Sequence, residues 1–366
     1  MPFRRTSTSV TEEQVVDALR PVPDPWFRKG IIDLDLVRDV SVRGSVVGCT
    51  VAVPVDGSGL HTLHDGMRAA VTALDGIDRL DIEWHRMDDA QLAELRSRLP
   101  GAALNDPASR TRVLGISSGK GGVGKSSATV NLAVTLARAG RDVAILDADV
   151  YGFSVPKMLG IVQTPMVIDK LIVPPVAHGV KCISMGFFAE DDQPVIWRGP
   201  MLHKALEQFL TDVYWGEPDY LLVDMPPGTG DVALSMAQFT PRSEVFVVTT
   251  PQPAAQRVAQ RSALMAAKVK LEIKGVIENM SWFTGDDGRR YEIFGAGGGQ
   301  LLAEQLGVPL VGQVPLVVAL REGGDTGSPI VATQPDGEVA DAFRGIATWV
   351  DEHGPKRIYR SELTIR

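Results

Sequence analysis

Gly119-Lys120-Gly121-Gly122-Val123-Gly124-Lys125-Ser126 is the stretch on which the fold turns. It satisfies the spacing G-x-x-x-x-G-K-[ST], follows the apolar run Val113-Leu114-Gly115-Ile116, and opens an Ala-rich segment that ends near Gly140. Strand, glycine loop and helix in that order make a phosphate cradle. The glycines let successive backbone N–H groups turn inward without Cβ clashes, and the helix N-terminus adds its partial positive charge. Lys125 is placed to reach the β- and γ-phosphates of a nucleotide. The Ser126 hydroxyl suits one Mg2+ position, and Ser127 suits the α-phosphate. The expected cradle is Gly119, Lys120, Gly121, Gly122, Val123, Gly124, Lys125, Ser126 and Ser127.

Working outward, a second apolar run, Tyr220-Leu221-Leu222-Val223, ends in Asp224 and then Met225-Pro226-Pro227-Gly228-Thr229-Gly230-Asp231. Asp224 at a strand end suits Mg2+ through its bound water, and the Pro-Gly run suits a switch beside a γ-phosphate. A third run, Val143-Ala144-Ile145-Leu146, is followed by Asp147-Ala148-Asp149. Period-two spacing after a strand brings both carboxylates near the phosphates. Asp147 is assigned to the magnesium shell and Asp149 to orienting and activating an attacking water, with an acidic loop cap as the alternative. Further buried-strand runs stand at Val245–Val248 and Gly275–Ile277, separated by helical segments. Near-continuous apolar strands alternating with helices predict an α/β P-loop NTPase fold, its mostly parallel sheet covered by helices on both faces.

Upstream, the pattern is different. Thr11-Glu12-Glu13-Gln14 is a capping-box signature, and Val15, Val16, Ala18 and Leu19 give the helix it starts an apolar face. Two strand-like runs, Asp39–Val42 and Val46–Val53, flank a turn at Arg43-Gly44-Ser45. A helix through Leu63, Met67, Ala70, Val71 and Leu74 follows, then the alternating run Ile77–Trp84, which predicts a half-buried strand. The order predicts a small α+β domain over residues 8–99. Residues 100–109 form a linker, 110–354 the P-loop domain and 355–366 a basic tail.

Composition narrows the function classes. The chain has 366 residues, 44% hydrophobic and 22% charged, as expected of a soluble globular protein. A formal charge of −8 speaks against a generally basic, nucleic-acid-coating surface. No secretory leader and no apolar stretch approaching ~20 residues are found, so neither export nor membrane insertion is expected and the predicted location is cytoplasmic. The two cysteines, Cys49 and Cys182, lie in β-branched runs and form no CxxC pair, which predicts two buried strand residues in a reducing compartment.

Together these residues resemble the Mrp family of iron–sulfur cluster carrier ATPases, within the MinD/ParA-like deviant Walker A group. The matching stretches are Gly119–Ser127, Asp147–Gly152, Ile183-Ser184-Met185-Gly186, Trp197-Arg198-Gly199-Pro200, Leu222–Asp231 and Glu278-Asn279-Met280-Ser281. The small domain resembles iron–sulfur assembly factors through Leu19-Arg20-Pro21-Val22-Pro23-Asp24-Pro25. The resemblance implies a slow, Mg2+-dependent ATPase acting as a homodimer, with iron–sulfur assembly factors or apoprotein clients as partners. It also implies that Lys120 reaches across the dimer into the partner's ATP, as an arginine finger does, and that Asn279 reads adenine with its side-chain amide. An iron–sulfur cluster is the implied cargo. Here the sequence departs from the family: the stretch after the Asn-Met-Ser segment, Ser281–Arg290, holds no CxxC, and no cysteine stands near Gly57–His61. Three roles follow: direct cluster carriage, with Cys49 or Cys182 paired across a dimer as the remaining ligands; a nucleotide-switched adaptor that ligates no cluster itself; or a MinD/ParA-like scaffold ATPase. His61 and His64 are a weak candidate metal pair, and surface or capping roles suit them better.

Overall fold

The computed structural model describes residues 10–54, 59–99, 104, 109–150, 152–168, 170–188, 199–228 and 230–354. Gly57, Ser58, most of the 100–109 linker, Tyr151, Trp197, Arg198, Thr229 and the 355–366 tail lie outside them. The first elements are α1 (Glu12–Leu19), β1 (Val37–Arg43), β2 (Val46–Val53), α2 (Gly59–Thr72), β3 (Arg79–Arg86) and α3 (Asp89–Arg98). Then come β4 (Arg112–Ser118), α4 (Lys125–Arg138), β5 (Val143–Asp147), α5 (Val155–Met158), β6 (Met166–Ile168), β7 (Leu171–Val173), β8 (Val176–Ala177) and β9 (Val180–Ser184). The remainder are α6 (Gly199–Thr211), β10 (Tyr220–Asp224), α7 (Gly230–Phe239), β11 (Glu244–Thr249), α8 (Pro253–Lys268), β12 (Glu272–Asn279), β13 (Phe283–Thr284), β14 (Arg290–Tyr291), α9 (Gly298–Leu306), β15 (Leu310–Val314), α10 (Val318–Thr326), α11 (Ile330–Thr333) and α12 (Glu338–Glu352).

The chain divides into two compact units. In the small unit α1 starts on the expected capping box. The Thr11 hydroxyl accepts from Gln14 N–H at 3.3 Å, and the Gln14 side chain accepts from Thr11 N–H at 2.9 Å. β1 and β2 pair antiparallel around Gly44, whose φ of +64° suits glycine. β3 joins β2 in parallel, a pairing that needs a crossover, and α2 supplies it while burying Leu63, Met67 and Val71. The alternation of β3 holds for Leu80 and fails at Trp84, which is 36% exposed, because β3 is an edge strand. Helix α3 opens on a second capping box, Asp88 with Gln91.

This unit is not confined to the N-terminal stretch. Residues 163–176 and 208–217 belong to it, although the sequence reading placed them in the P-loop domain. Ile168 and Val173 of the β6–β7 hairpin enter its core, and Tyr214 meets the Phe27 ring edge-on at 5.6 Å between centroids. Contacts made by residues so distant in sequence leave no local periodicity to find.

The large unit carries an eight-stranded sheet in the order β15-β12-β11-β4-β10-β5-β9-β8, parallel from β15 through β9. Helices α4, α11 and α12 pack together, and α7, α8 and α9 form a second layer. The five expected runs became β4, β5, β10, β11 and β12. β15 escaped notice because Gly312 and Gln313 interrupt its apolar character; Gly312 is where the Ile346 side chain of α12 presses in.

In the small unit Asp24 is fully buried. Its Oδ1 accepts from Trp26 and Phe27 N–H at 2.9 and 2.8 Å, while Oδ2 meets no donor. Burial pushes its carboxyl up to about 7, against the lowering effect of the two backbone N–H groups. A carboxyl with a raised folded pKa binds more protons folded than unfolded between about pH 4 and 7, so its contribution to stability falls as pH rises through that window. Asp24→Asn removes the titration and keeps the Oδ1 acceptor. Parallel denaturant titrations should show the variant gaining stability on the wild type from pH 4 to pH 7, by on the order of a few kcal/mol; a constant difference would refute this assignment.

Candidate phosphate-binding site

The residues singled out above gather at the carboxyl ends of the parallel strands. β4 ends at Ser118, β5 at Asp147, β10 at Asp224 and β12 at Asn279. Asp224 stands in register with Asp147 on one side and with Ile116 on the other. The connection through α4 carries the chain from β4 past β10 to β5, whereas α7 carries it from β10 to β11 on the other side of β4. β4 therefore sits where the winding reverses, the place at which open α/β sheets bind ligands.

The glycines of the loop divide into two kinds. A Cβ on Gly119 would overlap the backbone of Val258 and Ala259 in α8, and one on Gly124, at φ +80°, would overlap the amide of Asn279. These two permit close approach. Gly121 and Gly122 are exposed and face open space, so at these two positions the crown of the loop is bare backbone. Those features fit a chain of phosphates. Gly228 N–H, in the Pro-Gly run, donates to Ser118 O at 3.0 Å and ties that run to the root of the loop.

Beneath the crown, Lys125 is 6% exposed. Its ammonium donates to Asp224 Oδ2 at 2.6 Å and lies 3.4 Å from Asp149 Oδ2. Ser126 Oγ also donates to Asp224 Oδ2, at 2.6 Å. The other oxygen of Asp224 accepts from Thr129 Oγ, again at 2.6 Å. Thr129 was missed in the sequence; the available signal was its place four residues after Lys125, one turn along the helix that Lys125 opens. Asp147, fully buried, accepts from Ser184 Oγ at 2.9 Å and from Asp149 N–H at 3.2 Å. Burial first, and then the charge of Asp224, hold its carboxyl well above the usual range, with the Ser184 hydrogen bond acting against them. Lys125, Ser126, Asp147, Asp149 and Asp224 are thus brought together. Asp149 and Asp224 flank one ammonium, with Asp147 in register beside Asp224; their oxygens and the Ser126 hydroxyl are hard donors in type, although the three carboxylates are not arranged around a common metal position.

The remaining expected residues stand around this centre. Lys120 is exposed on the crown, and its carbonyl accepts from Ser118 Oγ at 3.2 Å. Ser127 is half-buried and its carbonyl accepts from Asn131 at 2.9 Å. Asn279 is 4% exposed, and its Nδ2 donates to Val123 O at 2.9 Å, so one amide hydrogen is engaged by the loop itself.

Among the described residues no donor set suits iron and sulfide. Cys49 lies in the small unit's core and Cys182 in the large unit's core. Burial pushes the Cys49 thiol up to about 11 and raises Cys182 well above its ordinary value. Ligation by these thiols across a dimer, kept open on sequence grounds, is therefore disfavoured: each would have to leave a core and lose its proton. His61 and His64 stand on α2, with His64 Nδ1 3.3 Å from Asp65. Among the described residues no group of three or more His, Cys, Asp or Glu could hold a metal ion, and no helix is long and apolar enough to cross a membrane.

Residues 109–351 match the profile of the ParA family, described as a NUBPL iron-transfer P-loop NTPase, and residues 12–84 match an iron–sulfur cluster assembly protein family. The iron–sulfur cluster carrier protein of Mycobacterium tuberculosis is 44% identical over 347 residues, covering 90% of each chain. That of Bacillus subtilis is 39% identical over 313 residues, covering 84% of this chain and 88% of its own. Among solved structures, a nucleotide-binding protein from Archaeoglobus fulgidus in complex with ADP is 30% identical with a TM-score of 0.56, covering 67% of this chain and 97% of that one. The septum site-determining protein MinD from Pyrococcus horikoshii, complexed with Mg-ADP, is 26% identical with a TM-score of 0.50, covering 66% and 96%.

Thr129→Val keeps the side-chain shape but leaves a buried carboxylate oxygen without its donor. Denaturant titration should register a loss of about 1–3 kcal/mol, most of it recovered in Thr129→Ser; a neutral Thr129→Val would remove Thr129 from the site.

Proposed function

The chain belongs to the ParA/NUBPL family of iron-transfer P-loop NTPases, and from that premise we propose that it is an Mg2+-dependent ATPase whose homodimer serves iron–sulfur cluster delivery as a nucleotide-driven switch. The observation that carries this reading is the buried Lys125 ammonium, 2.6 Å from Asp224 and 3.4 Å from Asp149, under an open glycine crown at a helix N-terminus.

On this reading the crown amides and Lys125 take the β- and γ-phosphates, exchanging the lysine's carboxylate partners for phosphate oxygens of the same charge. Ser126, Asp147 and Asp224 would hold Mg2+, which would offset the negative charge of the phosphates. Asp149 orients a water for in-line attack on the γ-phosphorus and draws off its proton as the bond to the β-phosphate oxygen breaks, giving ADP and inorganic phosphate. Lys120, exposed on the crown, reaches the nucleotide of the partner protomer and steadies the charge that develops. Asn279 keeps its Oδ1 and a second amide hydrogen for the adenine N6/N7 edge. The Asp224–Asp231 run, tied to the loop through Gly228, passes the phosphate state outward.

The cluster is cargo, and the chain's own sulfur does not suit it. Two thiols, both in cores, do not make the soft thiolate set that a cluster requires. The adaptor reading is therefore favoured over direct carriage: ATP sets the dimer, and a partner or client supplies the ligands.

Two experiments test the proposal. Lys125→Ala should abolish ATP binding, whereas Lys120→Ala should keep affinity within a few-fold and lose phosphate release; unchanged turnover in either variant would remove that lysine's role. After anaerobic reconstitution, iron and sulfide analysis of the chain alone should give well under one cluster per dimer, unaffected by Cys49→Ser or Cys182→Ser. A stoichiometric cluster abolished by one of these substitutions would restore direct carriage.

A further inference from the structure

Four consecutive residues, Glu278-Asn279-Met280-Ser281, have only one member accounted for by base recognition. The structure gives all four a place. Asn279 is the last residue of β12, and its Nδ2 donates to Val123 O at 2.9 Å. The same amide lies so close to Gly124 that a Cβ there would overlap it, and the Met280 methyl is 3.8 Å from that position. Met280 adopts φ +58°, a left-handed conformation that L residues seldom take, and it turns the chain sharply after the strand. Both ends of the turn are fastened. Ser281 N–H donates to Val314 O at 3.0 Å and Ser281 Oγ to Glu278 O at 3.1 Å. Glu278, 1% exposed, accepts from Gly299 N–H at 2.5 Å and from Gln313 Nε2 at 2.7 Å. It is thereby stapled to the start of α9 and to β15.

We infer that Glu278–Ser281 is a bracket that fixes the backbone of the phosphate loop, with Asn279 as a positioning residue for phosphate binding whatever base is attached. The physical reason lies in the loop's own composition. A run of glycines has more conformational freedom than any other residues would give it, and binding through backbone amides requires that freedom to be removed beforehand. Val123 O is the handle nearest the helix start. Holding it by a buried donor, on a turn that is itself fastened at both ends, aligns the Gly124 and Lys125 amides before any phosphate arrives. Because the bonded atom is an amide nitrogen facing a carbonyl, only a donor serves, and Asp at 279 would set two oxygens against each other.

The inference rests on the nucleotide reading above, and a ligand with no base separates the two. Full-length protein is titrated with Mg2+ and inorganic tripolyphosphate, ATP or GTP by calorimetry, and its hydrolysis of ATP and GTP is followed. Asn279→Ala and Asn279→Asp should each weaken tripolyphosphate by about tenfold or more, the scale of one well-made buried hydrogen bond. ATP and GTP should weaken by a similar factor, KM for both should rise together, and the loss should be the larger in Asn279→Asp. Melting temperatures are recorded for both variants. If Asn279→Ala is too unstable, Glu278→Ala and Glu278→Gln replace it: the first should weaken tripolyphosphate, and the second, which keeps an acceptor for Gly299 N–H, should recover it. Tripolyphosphate affinity unchanged in a folded Asn279 variant, with loss confined to ATP, would overturn the bracket and leave a base contact alone. Wild-type protein that binds neither tripolyphosphate nor ATP would overturn the phosphate-site reading, and the bracket with it.

Discussion

One buried ammonium organises the candidate phosphate site. Lys125 is 6% exposed and faces Asp224, which has no exposure at all. A charge so placed is tolerable only when its partners are held to within a few tenths of an ångström, since desolvation otherwise exceeds the attraction. The parallel sheet supplies that precision. Asp147 and Asp224 are registered neighbours on β5 and β10, and Lys125 opens the helix that leaves β4, the strand paired to β10 on its other side. Both oxygens of Asp224 are occupied, one by Lys125 and Ser126 and the other by Thr129. Beside these groups Asp147 is the acid that resists ionising: burial first, and then the charge of Asp224, hold its carboxyl well above the usual range.

The same geometry explains what the sequence disclosed. Loop, helix start and strand-end acids are local features: each lies within a few residues of an apolar run whose type is plain from its pattern. Asp147, Asp149 and Asp224 were legible because a residue just past a buried parallel strand falls at the sheet's carboxyl edge, whatever the rest of the chain does. Thr129 was not legible in the same way. A threonine inside a helix more often bonds its own preceding turn, and Thr129 does lie 3.0 Å from Lys125 O. Only the position of β10, almost a hundred residues on, makes Asp224 Oδ1 its nearer acceptor.

Non-local packing also explains the small unit. Its first core residues, Val15, Leu19, Leu63, Met67 and Val71, follow helical spacing and were readable. Ile168, Val173 and Tyr214 sit in short runs embedded in a stretch whose strands alternate with helices, so nothing in their neighbourhood separates them from the P-loop domain. The exposed edge strand shows the converse. Trp84 continues an alternation that reads as half-buried, but alternation reports which face of a strand a residue occupies, and an edge strand has less to cover either face.

The two halves of the family's chemistry call for different atoms. Phosphate and magnesium call for main-chain amides, a lysine and hard oxygens, and groups of those types stand at the sheet's carboxyl edge. A cluster is held by sulfur, and this chain's sulfur is packed into its two cores. The segment after Ser281 has been filled with other interactions. Trp282 Nε1 donates to Glu338 at 2.8 Å, Thr284 Oγ donates to the same carboxylate at 3.1 Å, and the Arg290 guanidinium lies 4.1 Å over the Trp282 ring. Tyr291 closes the far end of the β13–β14 hairpin on Asp287 at 2.8 Å. Trp282, Thr284 and Arg290 all meet Glu338 at the start of α12, so the hairpin is tied to that helix, while the Arg290–Trp282 cation–π contact is its own. It joins the phosphate site through the Asn-Met-Ser turn whether or not sulfur is present.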